Sequence, residues 1–238
     1  MLKPTLLEFI GSFALTFLCM ACRAQNPDDY FTLGLTYFFL FGALIYAFQN
    51  VSGSHFNPVL TISLLLTSQI SLTNSIAFLA SQLTGSLLAS ALAINVLPFA
   101  SLPTVPSLRE NMRYSGLVVE MLVLFSLVLV YNCLVANFKA PRYVLGVSVA
   151  SVYLLGALCF GGLSGAAFNL IFLFGPGIAS GKYGDWVLYL AFHLAGGLSS
   201  SAFFWLFLRR KGKDDEVEEI VDQVEAESLQ PRNEALKR

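Results

Sequence analysis

The sequence predicts an all-α integral membrane fold: six transmembrane helices and two re-entrant half-helices, built as an inverted repeat of three helices each. Three observations predict it. The chain is 56% hydrophobic and 12% charged, where ordinary soluble domains carry about 25% charged residues. Six segments are apolar over the ~20 residues that cross a bilayer core, at 5–22, 31–51, 74–95, 115–136, 143–161 and 184–208. One motif also occurs twice. Ser52-Gly53-Ser54-His55-Phe56-Asn57-Pro58-Val59 returns 112 positions on as Ser164-Gly165-Ala166-Ala167-Phe168-Asn169-Leu170-Ile171.

The same offset pairs Glu8 with Glu120, Gly34 with Gly146 and Gly85 with Gly197. Matches in one frame identify a duplication. The first repeat covers 1–111, the second 112–210, and an acidic tail 211–238. Three spans is an odd number, so the second copy enters the membrane inverted, and inverted repeats hold their site near the midplane. Lys3, Lys139, Arg142, Arg209, Arg210, Lys211 and Lys213 outnumber Arg23, Arg109, Arg113 and Lys182 on the opposite side. That excess places both termini in the cytoplasm.

In chain order, span 1 carries Glu8 at membrane depth, where a carboxylate faces the bundle interior with a partner. Span 2 runs into the first motif. Ser52-Gly53 breaks the helix, Asn57 caps a new one, and Pro58 suits its first position. The apolar run that follows is too short to span, so 57–66 is a half-helix dipping into the membrane, protected by surrounding protein. Span 3 carries Gln82 within a stripe of small residues, the pattern of close helix packing. Span 4 carries Glu120. Span 5 leads into the second motif and a second half-helix at 169–178, closing near Gly175-Pro176-Gly177. Span 6 contains His193, opposite Ser81 in the repeat and read as a packing residue. The tail holds Val217, Ile220, Val221 and Val224 at helical spacing among acidic residues, which makes 214–227 a candidate docking segment for a cytoplasmic partner.

A net charge of −1 supports no nucleic-acid partner. No nucleophile–base pair, phosphate loop or metal cluster stands out, so neither enzyme activity nor a cofactor or metal is expected. Cys19, Cys22, Cys133 and Cys159 all lie in apolar segments and read as packing residues.

Duplicated Glu, two Asn-centred half-helices and six spans resemble the aquaporin, or major intrinsic protein, family, whose hourglass fold these segments would form. The resemblance covers 5–208 and is most specific at Ser52–Thr61, close to the family's S-G-A-H-x-N-P-A-V-T. It implies a pore through each subunit, usually in a homotetramer in the lipid bilayer, for water or small neutral solutes. It makes Asn57, Pro58, Val59, Asn169, Leu170 and Ile171 the pore motif and places Tyr37, Ala157, Ala166 and Phe172 at the selectivity filter. His55 would line the cytoplasmic half of the pore, and Glu8 and Glu120 would brace the two loops. Two half-helix N-termini, each carrying about half a positive charge, would orient water toward Asn57 and Asn169, break its proton-conducting file and repel cations.

The second motif departs from the family's N-P-A-R. Leu170 replaces the proline that preforms the helix start, Ile171 adds bulk, and Phe172 replaces the filter arginine. The filter then reads as an uncharged, largely apolar ring. Two functions follow from different classes. One is a passive channel of altered selectivity for water, glycerol, urea or hydrogen peroxide. The other is a poorly conducting protein of the same fold, serving as a structural or adhesion subunit of a membrane assembly.

Overall fold

The computed structural model describes residues 2–97, 105–136 and 141–209. The acidic tail 211–238, with its candidate docking segment 214–227, lies outside the described residues, as do the topology charges Lys139, Arg210, Lys211 and Lys213. Eight α-helices occur among the described residues: α1 (Leu2–Gln25), α2 (Tyr30–Phe48), α3 (Pro58–Leu66), α4 (Leu72–Val96), α5 (Arg113–Ala136), α6 (Arg142–Ser164), α7 (Ile171–Ser180) and α8 (Trp186–Phe203). A π-turn over Phe204–Leu208 prolongs α8. Six of the helices are long and apolar enough to cross a membrane; α3 and α7 are too short. The chain is a multi-pass membrane protein.

Side chains set the helix starts. Asp29 caps α2, accepting from Thr32 N at 2.9 Å. Asn57, in an extended conformation, caps α3 by accepting from Val59 N at 3.0 Å, with Pro58 at the first helical position. In the second copy Asn169 accepts from Ile171 N at 3.2 Å. Without a proline, Leu170 forms a turn, and α7 begins at Ile171 rather than 169. Its first bonds, Phe172 N to Asn169 O and Leu173 N to Leu170 O, span three residues, whereas α3 starts with the four-residue bond Thr61 N to Asn57 O. α7 also continues through Pro176 to Ser180 before Gly181 ends it in the left-handed region, beyond the expected stop at 178.

The helices pack both within each copy and across the duplication. α2 packs on α6, α1 on α4, and α5 on α8, while α7 lies on α4 and α3 sits between α4 and α8. Glycine allows the closest approaches. A Cβ on Gly34 would lie 3.3 Å from Leu154 O, and one on Gly146 would lie 3.2 Å from Gly42 O. These two contacts are related by the 112-residue offset at both ends.

The offset changes before α8. A Cβ on Gly85 would meet Phe9 O at 2.6 Å, and the matching approach to Met121 O, at 2.4 Å, belongs to Gly196. Gly197 instead packs against Val59. Gly85 is therefore the structural twin of Gly196, and the pairing of Gly85 with Gly197 is off by one residue. Pairing His193 with Ser81 fails for the same reason, since His193 takes the place of Gln82. One residue is missing from the second copy between Ile171 and His193.

Candidate functional site

The two motif loops carry backbone strain at matching places. Ser54 and Phe56 have φ of 58° and 47°, and Ala166 and Phe168 have φ of 50° and 48°. Non-glycine residues in this region cost about 1–3 kcal/mol each. A buried carboxylate offsets that cost in each loop. Glu8 accepts from His55 N at 2.9 Å, Phe56 N at 2.8 Å, Ser52 Oγ at 2.9 Å and Gln82 Nε2 at 2.8 Å. Glu120 accepts from Ala167 N at 2.9 Å and Phe168 N at 2.7 Å, and lies 2.8 Å from His193 Nε2. Each hydrogen bond contributes about 0.5–1.5 kcal/mol net, and a stranded buried N–H costs about 1–3 kcal/mol, enough to hold two strained residues per loop. His193 is thus bonded to the loop-bracing carboxylate, which corrects its reading as a packing residue.

The loops bring Asn57 and Asn169 together. Asn57 Nδ2 donates to Phe168 O at 3.2 Å, and Asn169 Nδ2 donates to Phe56 O at 2.8 Å. Both amides have a second acceptor in common, the Tyr153 hydroxyl, at 2.9 Å from Asn57 Nδ2 and 3.5 Å from Asn169 Nδ2. Two amides converge on one oxygen, and that oxygen belongs to the protein. The Tyr153 ring stacks on Phe41, with centroids 4.0 Å apart and planes at 10°. Phe41 and Tyr153 are twins under the 112-residue offset, so the two halves meet ring to ring beside the asparagines. Pro58, Val59 and Ile171 are buried around this point, and Leu170 is half-buried.

Next along α2 and α6 come the filter positions. Tyr37 and Phe172 stack at 5.4 Å and 10°, and Tyr37 meets Tyr153 edge-on at 5.6 Å. Ala157 and Ala166 are fully buried beside them. The column Phe172–Tyr37–Tyr153–Phe41 runs from the filter positions that the resemblance implies to the asparagines.

The surroundings of the filter are not uncharged. Arg23, in the last turn of α1, is 7% exposed and turns inward. Its Nη2 donates to Gly165 O at 2.5 Å and Ala166 O at 3.0 Å, and lies 3.4 Å from the Tyr37 hydroxyl. Tyr37 donates to the same Ala166 carbonyl at 2.7 Å. This corrects both the apolar reading of the ring and the treatment of Arg23 as a charge in an outer loop.

On the other side of the asparagines, a cavity of about 530 Å³ is bordered by Gln49, Gly53, His55, Phe78 and Tyr131. His55 is nearly buried, with Nδ1 3.1 Å from Thr61 Oγ1. Tyr131 caps the loop by donating to Gly53 O at 2.5 Å. Among the described residues no cluster of His, Cys, Asp or Glu could hold a metal ion. Sequence reasoning missed Tyr153, Phe41 and Arg23. The signal for the first two was the four-residue spacing of Tyr37 to Phe41 and of Tyr153 to Ala157, which puts each pair on one helix face.

Comparisons with known proteins agree with this geometry. The family model described as "Major intrinsic protein" matches residues 1–204. An aquaporin of Enterocytozoon bieneusi is 27% identical over 223 residues, covering 84% of this chain and 90% of its own length. Aquaporin TIP4-2 of Zea mays is 30% identical over 177 residues, covering 71% and 67%. The X-ray structure of the aquaglyceroporin from Plasmodium falciparum superposes with a TM-score of 0.75 at 20% identity, covering 87% of this chain and 96% of that one.

Proposed function

The chain belongs to the major intrinsic protein family, whose members are channels rather than enzymes, and we propose that it is a low-flux passive pore for water and small neutral solutes, closed at rest by Tyr153. The solutes are of the glycerol, urea and hydrogen peroxide class. The observation that carries this reading is the convergence of the Asn57 and Asn169 amides on the Tyr153 hydroxyl. Such a pair of donors suits one water or solute oxygen at a time. Tyr153 fills that position with a chemically similar oxygen.

Magnitudes favour a closed pore over a permanently dead one. One neutral hydrogen bond contributes about 1 kcal/mol, and an aromatic stack about 0.5–1.5 kcal/mol. Holding Tyr153 with roughly 2 kcal/mol leaves a displaced state populated at the level of a few per cent. The unit would assemble as a homotetramer with both termini in the cytoplasm, as the resemblance and the distribution of Lys and Arg imply.

A second reading is favoured by the length of the aromatic column. Four stacked or edge-packed rings support a protein that conducts poorly and acts as a structural or adhesion subunit. Stopped-flow light scattering on proteoliposomes separates the two. Wild type is expected to pass water or glycerol slightly faster than empty liposomes, and Tyr153→Ala/Phe172→Ala at least tenfold faster than wild type. No flux in either protein would overturn the channel reading and favour the structural one.

A further inference from the structure

We infer that Arg23, on the first transmembrane helix, is the charged selectivity residue of this pore, replacing from another helix the arginine that the second motif lacks. This rests on the channel reading above. Arginine stays protonated in every protein environment, and its planar fork suits fixed acceptors. An ionisable residue at membrane depth is by default a functional group with a partner to be named. Among the described residues no carboxylate lies within 4 Å of Arg23. Its partners are neutral oxygens: two carbonyls of the second motif loop and the Tyr37 hydroxyl. The positive charge therefore remains uncompensated at the filter.

A topology charge at a helix end would turn toward water and headgroups. Arg23 instead reaches a loop 142 residues away in sequence. It shares the Ala166 carbonyl with Tyr37, so two of the four filter positions are bonded to it directly. A third, Phe172, lies against the Tyr37 ring. The charge thus sits across the aromatic pair from the place where Phe172 replaces arginine. All three contacts use Nη2, which leaves Nη1 and Nε as the donors to meet a solute oxygen. In a low-dielectric constriction a lone cation repels other cations and orients neutral hydroxyls and carbonyls. The first effect depends on charge; the second needs only a donor.

The experiment uses full-length protein in liposomes, in the background Tyr153→Ala/Phe172→Ala, with Arg23→Gln and Arg23→Lys added separately. Gln keeps a donor for the Gly165 and Ala166 carbonyls and removes the charge. Lys keeps the charge and loses the fork. Potassium entry is read with a trapped fluorescent indicator, and glycerol entry by light scattering on the same liposomes. Arg23→Gln is expected to raise potassium entry at least tenfold while glycerol entry changes less than about threefold, and Arg23→Lys to exclude potassium like the background. Potassium exclusion as tight in Arg23→Gln as in the background, with glycerol still passing, would overturn the assignment of Arg23 alone. No glycerol entry even in the background would overturn the channel reading and the assignment with it. A role confined to holding the loop would make Gln and Lys equivalent, which also overturns it.

Discussion

The hydroxyl of Tyr153 accepts a 2.9 Å hydrogen bond from the side-chain amide of Asn57. In the proposed pore, a donor suited to a passing molecule is thereby satisfied by the protein, and closure would need no separate lid. The bond and the ring act differently, so they can be removed separately. Tyr153→Phe keeps the stack on Phe41 and deletes the acceptor. We expect it to pass water a few-fold faster than wild type in light-scattering assays, because losing about 1 kcal/mol of the hold on the ring raises the displaced population about fivefold, and to unfold more easily by a similar amount.

On the proposed reading two ring barriers lie in series, Tyr153 at the asparagines and the Tyr37–Phe172 stack at the implied filter. Resistances in series are governed by the larger one. Tyr153→Ala and Phe172→Ala should each raise water flux less than their combination does, by more than a simple sum would give. Flux in the double variant equal to that in one single variant would locate the whole barrier at a single ring.

Glu8 and Glu120 each bind two backbone N–H groups of a loop that contains two strained residues, with Gln82 and His193 as their side-chain partners. The equivalence of those partners gives a direct check. His193→Gln should keep thermal stability in detergent within about 1 kcal/mol of wild type, while Glu120→Ala, which strands two buried backbone donors, should cost about 3 kcal/mol or more. A His193→Gln variant as damaged as Glu120→Ala would show that the imidazole does something the amide cannot.

Glycine contacts make a test of the register. Alanine at Gly85 or Gly196 would place a methyl 2.6 or 2.4 Å from a backbone carbonyl oxygen, whereas at Gly162 it would meet nothing within 4 Å. Overpacking of this kind costs about 1–3 kcal/mol. Gly85→Ala and Gly196→Ala should fall together in a thermal-shift assay, and Gly162→Ala should stay at or slightly above wild type.

Asp29, at the start of α2, lies outside the spans and titrates. Two hydrogen bonds from Thr32, from its hydroxyl at 2.6 Å and its backbone N–H at 2.9 Å, hold its carboxyl below the usual value of 3.8. A lowered folded value means that the cap stabilises at and above the ordinary carboxylate range and is lost as pH falls through the folded value. Hydrogen exchange of the Thr32 amide should therefore show protection that persists through the ordinary carboxylate range and is lost only as pH falls below it, and Asp29→Ala should abolish that pH dependence.

The fold was legible because its causes are local and repeated. Six apolar runs and two Asn-centred motifs specify spans and half-helices without knowledge of contacts, and the family follows from the same residues. Positions counted outward from the motif, such as Tyr37 and Phe172, could be named in advance and do come together in the structure. Arg23 could not, because a cation at the end of an apolar helix has the same sequence signature whether it meets headgroups or folds inward. Tyr153 was hidden for a related reason. An aromatic residue on an apolar helix reads as packing, and its 2.9 Å hydrogen-bond partner, Asn57, comes from the opposite half of the molecule. The start of α7 was misplaced because Leu170 lacks the fixed backbone angle by which Pro58 sets the start of α3.

The missing residue between Ile171 and His193 has a consequence for how the two copies have been free to change. A helix turns about 100° per residue, so a deletion inside α8 would have carried His193 and Gly196 away from Glu120 and Met121. Both contacts survive, which places the loss in a segment whose length the neighbouring helices do not read. The span from Ser180 to Trp186 is such a joint, with Gly181 and Gly184 both in left-handed conformations. A loop there could drift in length while α8 kept its face toward Glu120, and a designer exchanging α8 for that of a relative would do well to place the seam at the same spot.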